Sequence, residues 1–402
     1  MIDVDSGLAH TGLSVAIRNG RIESVSNIEH GIFREVIDAD GAFLCPGLID
    51  AHVHLFLDAG PNPRATFLNG DDAAKLKTAA GNAARAIASG ITTVRDCGGP
   101  AHLVFRFQHA IEAGEVQGPR VIASGSPLTR PQGHCHFFGI EVASARQVRG
   151  AVETQAVAGA AFVKLIASGG GLTPGTDPAE ADLPLDLMRE AVAIARAHGM
   201  HVAAHCHAVE SIERAIKARV DMIEHASFAR PEGEPCFDAE LAARIRDEGI
   251  VVSPTAISGI RIARAIRDSG KSQNGLDGHA VARLEARRLH VARFCEAGVR
   301  IIAGTDCGVT NTPFDSLVDE LHEYATAGMS TASALRAATS ESARYLNQPL
   351  LGQVKSGFAA DLVLLRENPL HNLQTLKNPL LVMKGGDIFF RSSQCARQLQ
   401  SC

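Results

Sequence analysis

The chain has 402 residues, room for two or three ordinary domains or for one α/β barrel of about 250 residues with an accessory domain. Hydrophobic residues make up 46% and charged residues 21%, which excludes a disordered or fibrous chain. A net charge of −5 without a basic block argues against a nucleic-acid partner, and no apolar run approaches the ~20 residues that cross a bilayer.

The N-terminal stretch MIDVDSGLAH carries acids where a secretory signal has apolar residues, so a cytoplasmic protein is expected. Next comes Leu13–Val25, which alternates apolar and polar residues around Asn19-Gly20 and predicts a hairpin. From about residue 43 to residue 345, eight short apolar runs alternate with helix-length segments. The runs are PGLIDAHVHL, GITTVRDCGG, PRVIASGSPL, AFVKLIASGG, MHVAAHCHA, VDMIEHASF, GIVVSPTAI and VRIIAGTDCG. Between them, Asp186–His198 and Val209–Arg219 show helical spacing, and Gly90, Gly114, Gly199, Gly249 and Gly298 stand where left-handed helix caps belong. Eight βα units in series predict an α/β protein built on a closed (β/α)₈ TIM barrel.

Beyond the barrel, Ala359–Leu365 and Leu380–Phe390 read as further strands, the latter turning at Gly385-Gly386. They are expected to pair with the N-terminal strands in a small β-sandwich domain formed by both chain termini. The domain limits that follow are 1–45 with 353–402 for the β domain and 46–352 for the barrel.

Eight of the 17 histidines fall in four clusters, HVH, GHCHF, HVAAHCH and IEH. His52 and His54, two apart at the end of the first strand, share one face there. They form either a metal clamp or a pair of satisfied polar groups. Lys164 lies inside the fourth strand among apolar residues, where burial disfavours its charge. It is a nucleophile, a Schiff-base amine, a metal ligand or half of a buried ion pair. His205 and His207 repeat the two-residue spacing in the fifth strand, His225 ends the sixth, and Asp306 ends the eighth. Active sites of such barrels sit at the C-terminal ends of the strands, so joint placement there points to a metal site.

These residues resemble the metal-dependent amidohydrolase superfamily. PGLIDAHVHL is similar to the entry motif of that family, and GFAADLVLL resembles its return to the β domain. TTVRDCGG, GHCHFFG, FVKLIASGG, HVAAHCHAVE, IEHASF and AGTDCG resemble the branch with prolidase-type and Xaa-Arg dipeptidases, N-acyl amino acid hydrolases and ochratoxinase-like amidases. The resemblance implies an N-carboxylated Lys164 shared by two divalent cations. His52, His54 and Asp306 would hold one cation, and His205 and His225 the other. Nitrogen and oxygen donors without thiolate suit Zn²⁺ best, with Mn²⁺, Fe²⁺ or Co²⁺ as substitutes. The implied reaction is hydrolysis of an amide C–N bond by a hydroxide shared between the cations, with Asp306 as general base and then acid.

Around that centre, His134 and His136 in the Gly-rich loop after the third strand, together with His207, are expected to touch substrate. A ring packed on the barrel rim is the other reading of His207. Cys206 and Cys307 each follow an expected ligand, so alternation turns them towards the helices. Arg95 and Asp96 read as an ion pair bracing the barrel mouth or as substrate contacts. Gly169–Gly171 lacks the features of a phosphate loop and reads as an active-site loop. Pocket walls are assigned to Asp58–Asp72, Leu128–Glu141, Gly169–Leu183 and Ile257–Gly278, with Thr129-Arg130 and Arg261 either as contacts for an anionic substrate end or, the more ordinary reading, as solvated surface groups.

The expected substrates are N-acyl amino acids, dipeptides or related small amides, with neither nucleic acid nor membrane as partner. Cyclic amides, lactones, carbamates or phosphotriesters are the enzymatic alternative, and a non-catalytic assembly subunit is the other class. Deamination fits less well, because Lys164 is present. The resemblance also implies a homo-oligomer.

Overall fold

Seven of the apolar runs become parallel strands: Leu48–Val53, Ile91–Asp96, Arg120–Ala123, Phe162–Ile166, His201–Ala208, Met222–Ala229 and Val251–Ser253. The structure, a computed structural model, describes residues 1–27, 33–231, 236–269 and 278–393. The strands are continuous apolar runs because both faces are covered, one by the barrel interior and one by helices. Between the third and fourth strands the ring is joined by Ala161 N donating to the Ala123 carbonyl at 2.8 Å. The short strand Leu128–Thr129 adds a bridge from Leu128 to Leu165.

The eighth run closes the barrel without forming a regular strand. It is held by parallel bridges from Ile301 to Val252 and from Cys307 to Val53. Its backbone presses against the first strand at Gly304, where a Cβ would lie 2.8 Å from His52 Cβ and 2.4 Å from Ser253 Oγ. Only glycine permits that approach. The chain then turns at Asp306, whose φ is 62°.

The outer helices follow the apolar spacing of the sequence. Leu185–Ala197 buries Leu187, Met188, Ala191, Val192 and Ala195, and Val209–Ala218 buries Ile212, Ala215 and Ile216. All five expected cap glycines have φ between 69° and 89°. Two expected wall loops differ. Asp58–Asp72 contains the helix Pro63–Asn69, started by proline, and Ile257–Gly278 opens with the helix Ala256–Ser269. In the second, Ala256, Ile257, Ala263 and Ile266 are buried, so packing on the barrel overrides the Gly259 interruption. Residues 270–277 of that expected loop lie outside the described residues.

Both termini build the small β domain. The hairpin Ser14–Arg18 with Arg21–Ser26 turns through Asn19 and Gly20, both at positive φ, as a tight hairpin turn requires. An antiparallel sheet runs in the order Asp387–Arg391, Leu381–Lys384, Leu362–Leu365, Phe43–Pro46. Phe43–Pro46 is a strand that the apolar pattern alone does not separate from the barrel strand that follows it. This domain has a core of its own around Ile22, Val354, Leu362, Leu364, Leu381 and Met383. Among the described residues, no helix is long and apolar enough to cross a membrane.

Candidate active site

The C-terminal ends of the strands converge on a cavity lined by His52, His54, His134, Lys164, His205, His207, His225 and Asp306. Each of the seven His and Lys side chains named there is buried. His52 Nε2 lies 3.3 Å and His54 Nε2 3.5 Å from Asp306 Oδ1. Donor atoms of His205, His207 and His225 lie within 4.8 Å of one another, as do those of His52, His225 and Asp306. The position of His207 departs from simple strand geometry. The register of its strand shifts between Cys206 and Ala208, which brings the His207 ring to 4.5 Å from His205 and stacks it at 4.6 Å on His225.

The rear nitrogens of these rings are held by the scaffold. His54 Nδ1 donates to the Gly98 carbonyl at 2.9 Å, leaving Nε2 as the lone-pair nitrogen facing Asp306. His225 Nδ1 is 2.7 Å from Thr255 Oγ1, and His207 Nδ1 is 2.9 Å from Ser227 Oγ. His205 Nε2 donates to the Gly169 carbonyl at 3.2 Å. His52 Nδ1 faces Glu224 Oε2 at 3.4 Å. Such backing fixes tautomer and ring orientation, the arrangement that histidine ligands of metals generally show.

Burial controls the protonation states. Desolvation, with neighbouring cationic groups behind it, drives His52, His205 and His225 well below the usual imidazole range, and takes His134 down to about 3. The rings are therefore neutral at pH 7, with lone pairs available. Burial likewise lowers Lys164 to about 8 and raises the Asp306 carboxyl. Backbone strain gathers at the same place: Cys135, His225, Thr255 and Asp306 all have φ between 50° and 67°. Non-glycine residues hold that conformation only where surrounding structure imposes it.

Lys164 pairs with Glu224, whose other oxygen pairs with Arg95. Arg95 therefore does not pair with Asp96, the partner that sequence adjacency offers. Asp96 instead accepts from the backbone N–H groups of Leu55 and Gly98, at 2.9 and 3.0 Å. Neighbouring residues on a strand point to opposite faces, so their side chains cannot meet. Glu224 was not singled out from the sequence, although its signal was the same as that of Lys164, a charge inside an apolar strand. Arg287, which lines the cavity from the helix Gly278–Glu296, also lacked any local signal.

The remaining expected residues fall as follows. His134 reaches the cavity and packs on His205 with ring centroids 4.9 Å apart, its Nδ1 without a hydrogen-bond partner. A Cβ on Gly170 would lie 2.5 Å from His134 Nε2, so the glycine loop closes directly over that ring. His136 is not brought into the cavity and lies 3.7 Å from Glu141. Arg130 pairs with Asp182 at 2.7 Å and Arg261 with Asp319 at 2.5 Å, so neither is free for a substrate. Cys206 and Cys307 are buried in the outer core, as alternation requires. A larger cavity of about 430 Å³ lies at the opposite barrel end. Arg219 pairs there with Glu248 at 3.9 Å, and among the described residues no candidate metal cluster lies there.

The profile of the amidohydrolase family matches residues 43–389. The chain belongs to the amidohydrolase family. This amidohydrolase is a hydrolase with the TIM-barrel fold of its relatives. It is similar to ochratoxinase from Aspergillus niger, 28% identical over 383 residues that cover 86% of this chain and 75% of the relative. An uncharacterized protein of Mycobacterium tuberculosis is 30% identical over 355 residues, covering 87% and 86%. Among solved structures, a Xaa-Pro dipeptidase with methionine bound in its active site superposes with a TM-score of 0.86 at 26% identity, covering 97% of this chain and 98% of that one.

Amidohydrolases generally use divalent metals, and the residues here fit such ions. Six buried imidazoles and one carboxylate crowd together, and the rings of His52, His54, His205, His207 and His225 each have one nitrogen already backed by the scaffold. Desolvated lone pairs aimed at one another are costly unless a cation sits between them.

Proposed function

We propose that this amidohydrolase cleaves the amide C–N bond of N-acyl amino acids, dipeptides or related small amides at a centre of two divalent cations, Zn²⁺ by preference. The observation that carries this is the meeting of His52, His54, Lys164, His205, His225 and Asp306 at one cavity. By the family likeness His52, His54 and Asp306 would hold one ion, His205 and His225 the other, and an N-carboxylated Lys164 both. The likeness to a Xaa-Pro dipeptidase and to ochratoxinase supports an amide bond as the target.

The two ions would supply Lewis acidity, lowering the pKa of water from about 15.7 towards about 7 and polarising the scissile carbonyl. Asp306 accepts the proton of the attacking water and passes it to the leaving nitrogen as the C–N bond breaks. Burial, which raises its carboxyl, suits it to carry that proton between the two steps. His134, a neutral ring above the cavity, donates a hydrogen bond to the substrate carbonyl oxygen as negative charge grows there. His207 orients substrate from beside His225. The terminal β domain, residues 1–45 with 353–402, supports the barrel of residues 46–352, and among its described residues none lines the cavity.

The test is metal analysis joined to a substrate screen. About two ions per chain and zinc-dependent release of amine from N-acyl amino acids or dipeptides are expected. Protein that takes up no metal from excess zinc and bicarbonate, or loaded protein inert towards every amide, would refute the proposal.

A further inference from the structure

Arg287 is a buried cation that the hydrolytic scheme leaves unused. It is 8% exposed and reaches the cavity from a helix that follows the seventh strand. Its Nη1 donates to the Thr255 carbonyl at 3.2 Å, to Thr255 Oγ1 at 3.4 Å and to Ser258 Oγ at 3.1 Å. Those acceptors are neutral. Among the described residues no carboxylate makes an ion pair with Arg287, whereas Arg95, Arg130 and Arg261 each have one. The acids closest in influence are already employed. Glu320 accepts from the N–H groups of Ala256 and Ile257, and Asp306 belongs to the proposed ligand set.

An uncompensated buried guanidinium is costly, so its counter-charge has to arrive with a ligand. Gly259 lies under the Arg287 side chain, where a Cβ would sit 2.8 Å from Cδ, so the arginine is seated against backbone and held in place. Ile262 and Leu284, on the helices Ala256–Ser269 and Gly278–Glu296, line the same cavity as Arg287 and give it apolar surface. The planar guanidinium fork matches a carboxylate in two parallel hydrogen bonds.

The geometry points to Arg287 as the receptor for a free carboxylate on the substrate, which makes the substrate class the N-acyl derivatives and peptides of an amino acid with a free C-terminus and an apolar side chain facing Ile262 and Leu284. This rests on the amide-hydrolase reading above. Arg287 would then determine specificity without touching the reacting atoms.

The experiment compares N-benzoyl-L-leucine with N-(3-methylbutyl)benzamide, which has the same scissile bond and lacks the carboxylate. The zinc-loaded native enzyme is expected to prefer the acid in kcat/KM by about 10- to 100-fold, the range of a charge-assisted hydrogen bond. In Arg287→Met that preference is expected to collapse towards parity, mainly through KM, and Arg287→Lys should recover part of it. Absence of the preference in the native enzyme, or its survival in Arg287→Met, overturns the inference. A fall in bound metal with the preference intact would show that Arg287 only holds Thr255 and, through it, His225. Should Arg287→Met fail to fold, Arg287→Gln and Arg287→Lys are read by the same criteria.

If neither benzamide is cleaved, the amide reading has failed, and equilibrium dialysis of N-benzoyl-L-leucine against metal-free protein decides about Arg287 separately. Binding that weakens at least tenfold in Arg287→Met sustains the carboxylate site. No binding to the native protein, or equal binding to both, ends it.

Discussion

Glu224 faces Nδ1 of His52 at 3.4 Å from beneath the cavity, on the side of the ring opposite Asp306. The same carboxylate pairs with Lys164 and with Arg95, and all four side chains are buried. It is thus the anion around which the floor of the site is assembled, and it orients a proposed ligand from behind.

Replacing Glu224 by Gln keeps the volume and deletes the charge, leaving Arg95 buried without an anion. Loss of one partner from a buried pair costs about 3–5 kcal/mol, and loss of the backing group behind a ligand histidine lowers metal affinity about 10- to 100-fold. Urea unfolding and competitive zinc titration of Glu224→Gln should show both effects. Native-like values in both assays would remove Glu224 from the support of the site.

Asp306→Asn tests the proton carrier. The amide retains an oxygen donor near His52 and His54 and has no basic site, so two metals should remain bound while kcat falls about 10²- to 10⁴-fold. Steady-state kinetics paired with metal analysis on the same sample make the distinction. Full turnover with metals retained would assign the proton to another group.

Lys164 must be neutral to take up carbon dioxide, and burial lowers its ammonium to about 8. Below that value most of the amine is protonated and unreactive; above it most is free. Reconstitution of metal-free protein with zinc and bicarbonate should therefore accelerate between pH 7 and pH 9. It should slow sharply when carbon dioxide is stripped from the buffer. Lys164→Arg, which cannot form a carbamate, should bind less metal and ignore bicarbonate. A native reconstitution rate that is blind to bicarbonate would count against the carbamate.

Glu320 supplies a pH signature outside the ligand set. Burial lifts its carboxyl from the usual 4.5 to about 8 despite the bonds that it accepts from Ala256 and Ile257. The folded state therefore holds a proton that the unfolded chain has lost, and the stabilisation is complete below about 4.5 and disappears as pH rises through about 8. Denaturation free energies measured at pH 5, 6.5 and 8 should decline for the native protein and decline less for Glu320→Gln. Parallel slopes for the two proteins would place the titration elsewhere.

Much of this site is legible in the sequence. Local rules carry far: a two-residue repeat puts His52 and His54 on one face, a lysine among apolar residues marks Lys164, and strand ends mark His225 and Asp306. The eighth run was recognisable as a barrel element, yet not as a segment of isolated bridges, because that form follows from Gly304 pressing on His52. Spacing puts His207 on the strand face of His205, and only the shift of register near Ala208 shows its ring packed against both His205 and His225. Nothing local to Arg130 or Arg261 marks Asp182 and Asp319 as their partners, because each pair joins separate segments of the barrel rim.

Amino-acid order alone determined the barrel period, the β domain made from both ends and the histidine, lysine and aspartate set, because periodicity and strand-end chemistry act over a few residues. Only the tertiary structure decided that Arg95 answers to Glu224, 129 residues away, and that Arg287 lines the cavity with no carboxylate paired to it among the described residues. The reason is physical. A buried charge is defined by whatever surrounds it on all sides, and those neighbours come from separate turns of the barrel that meet only when the ring closes.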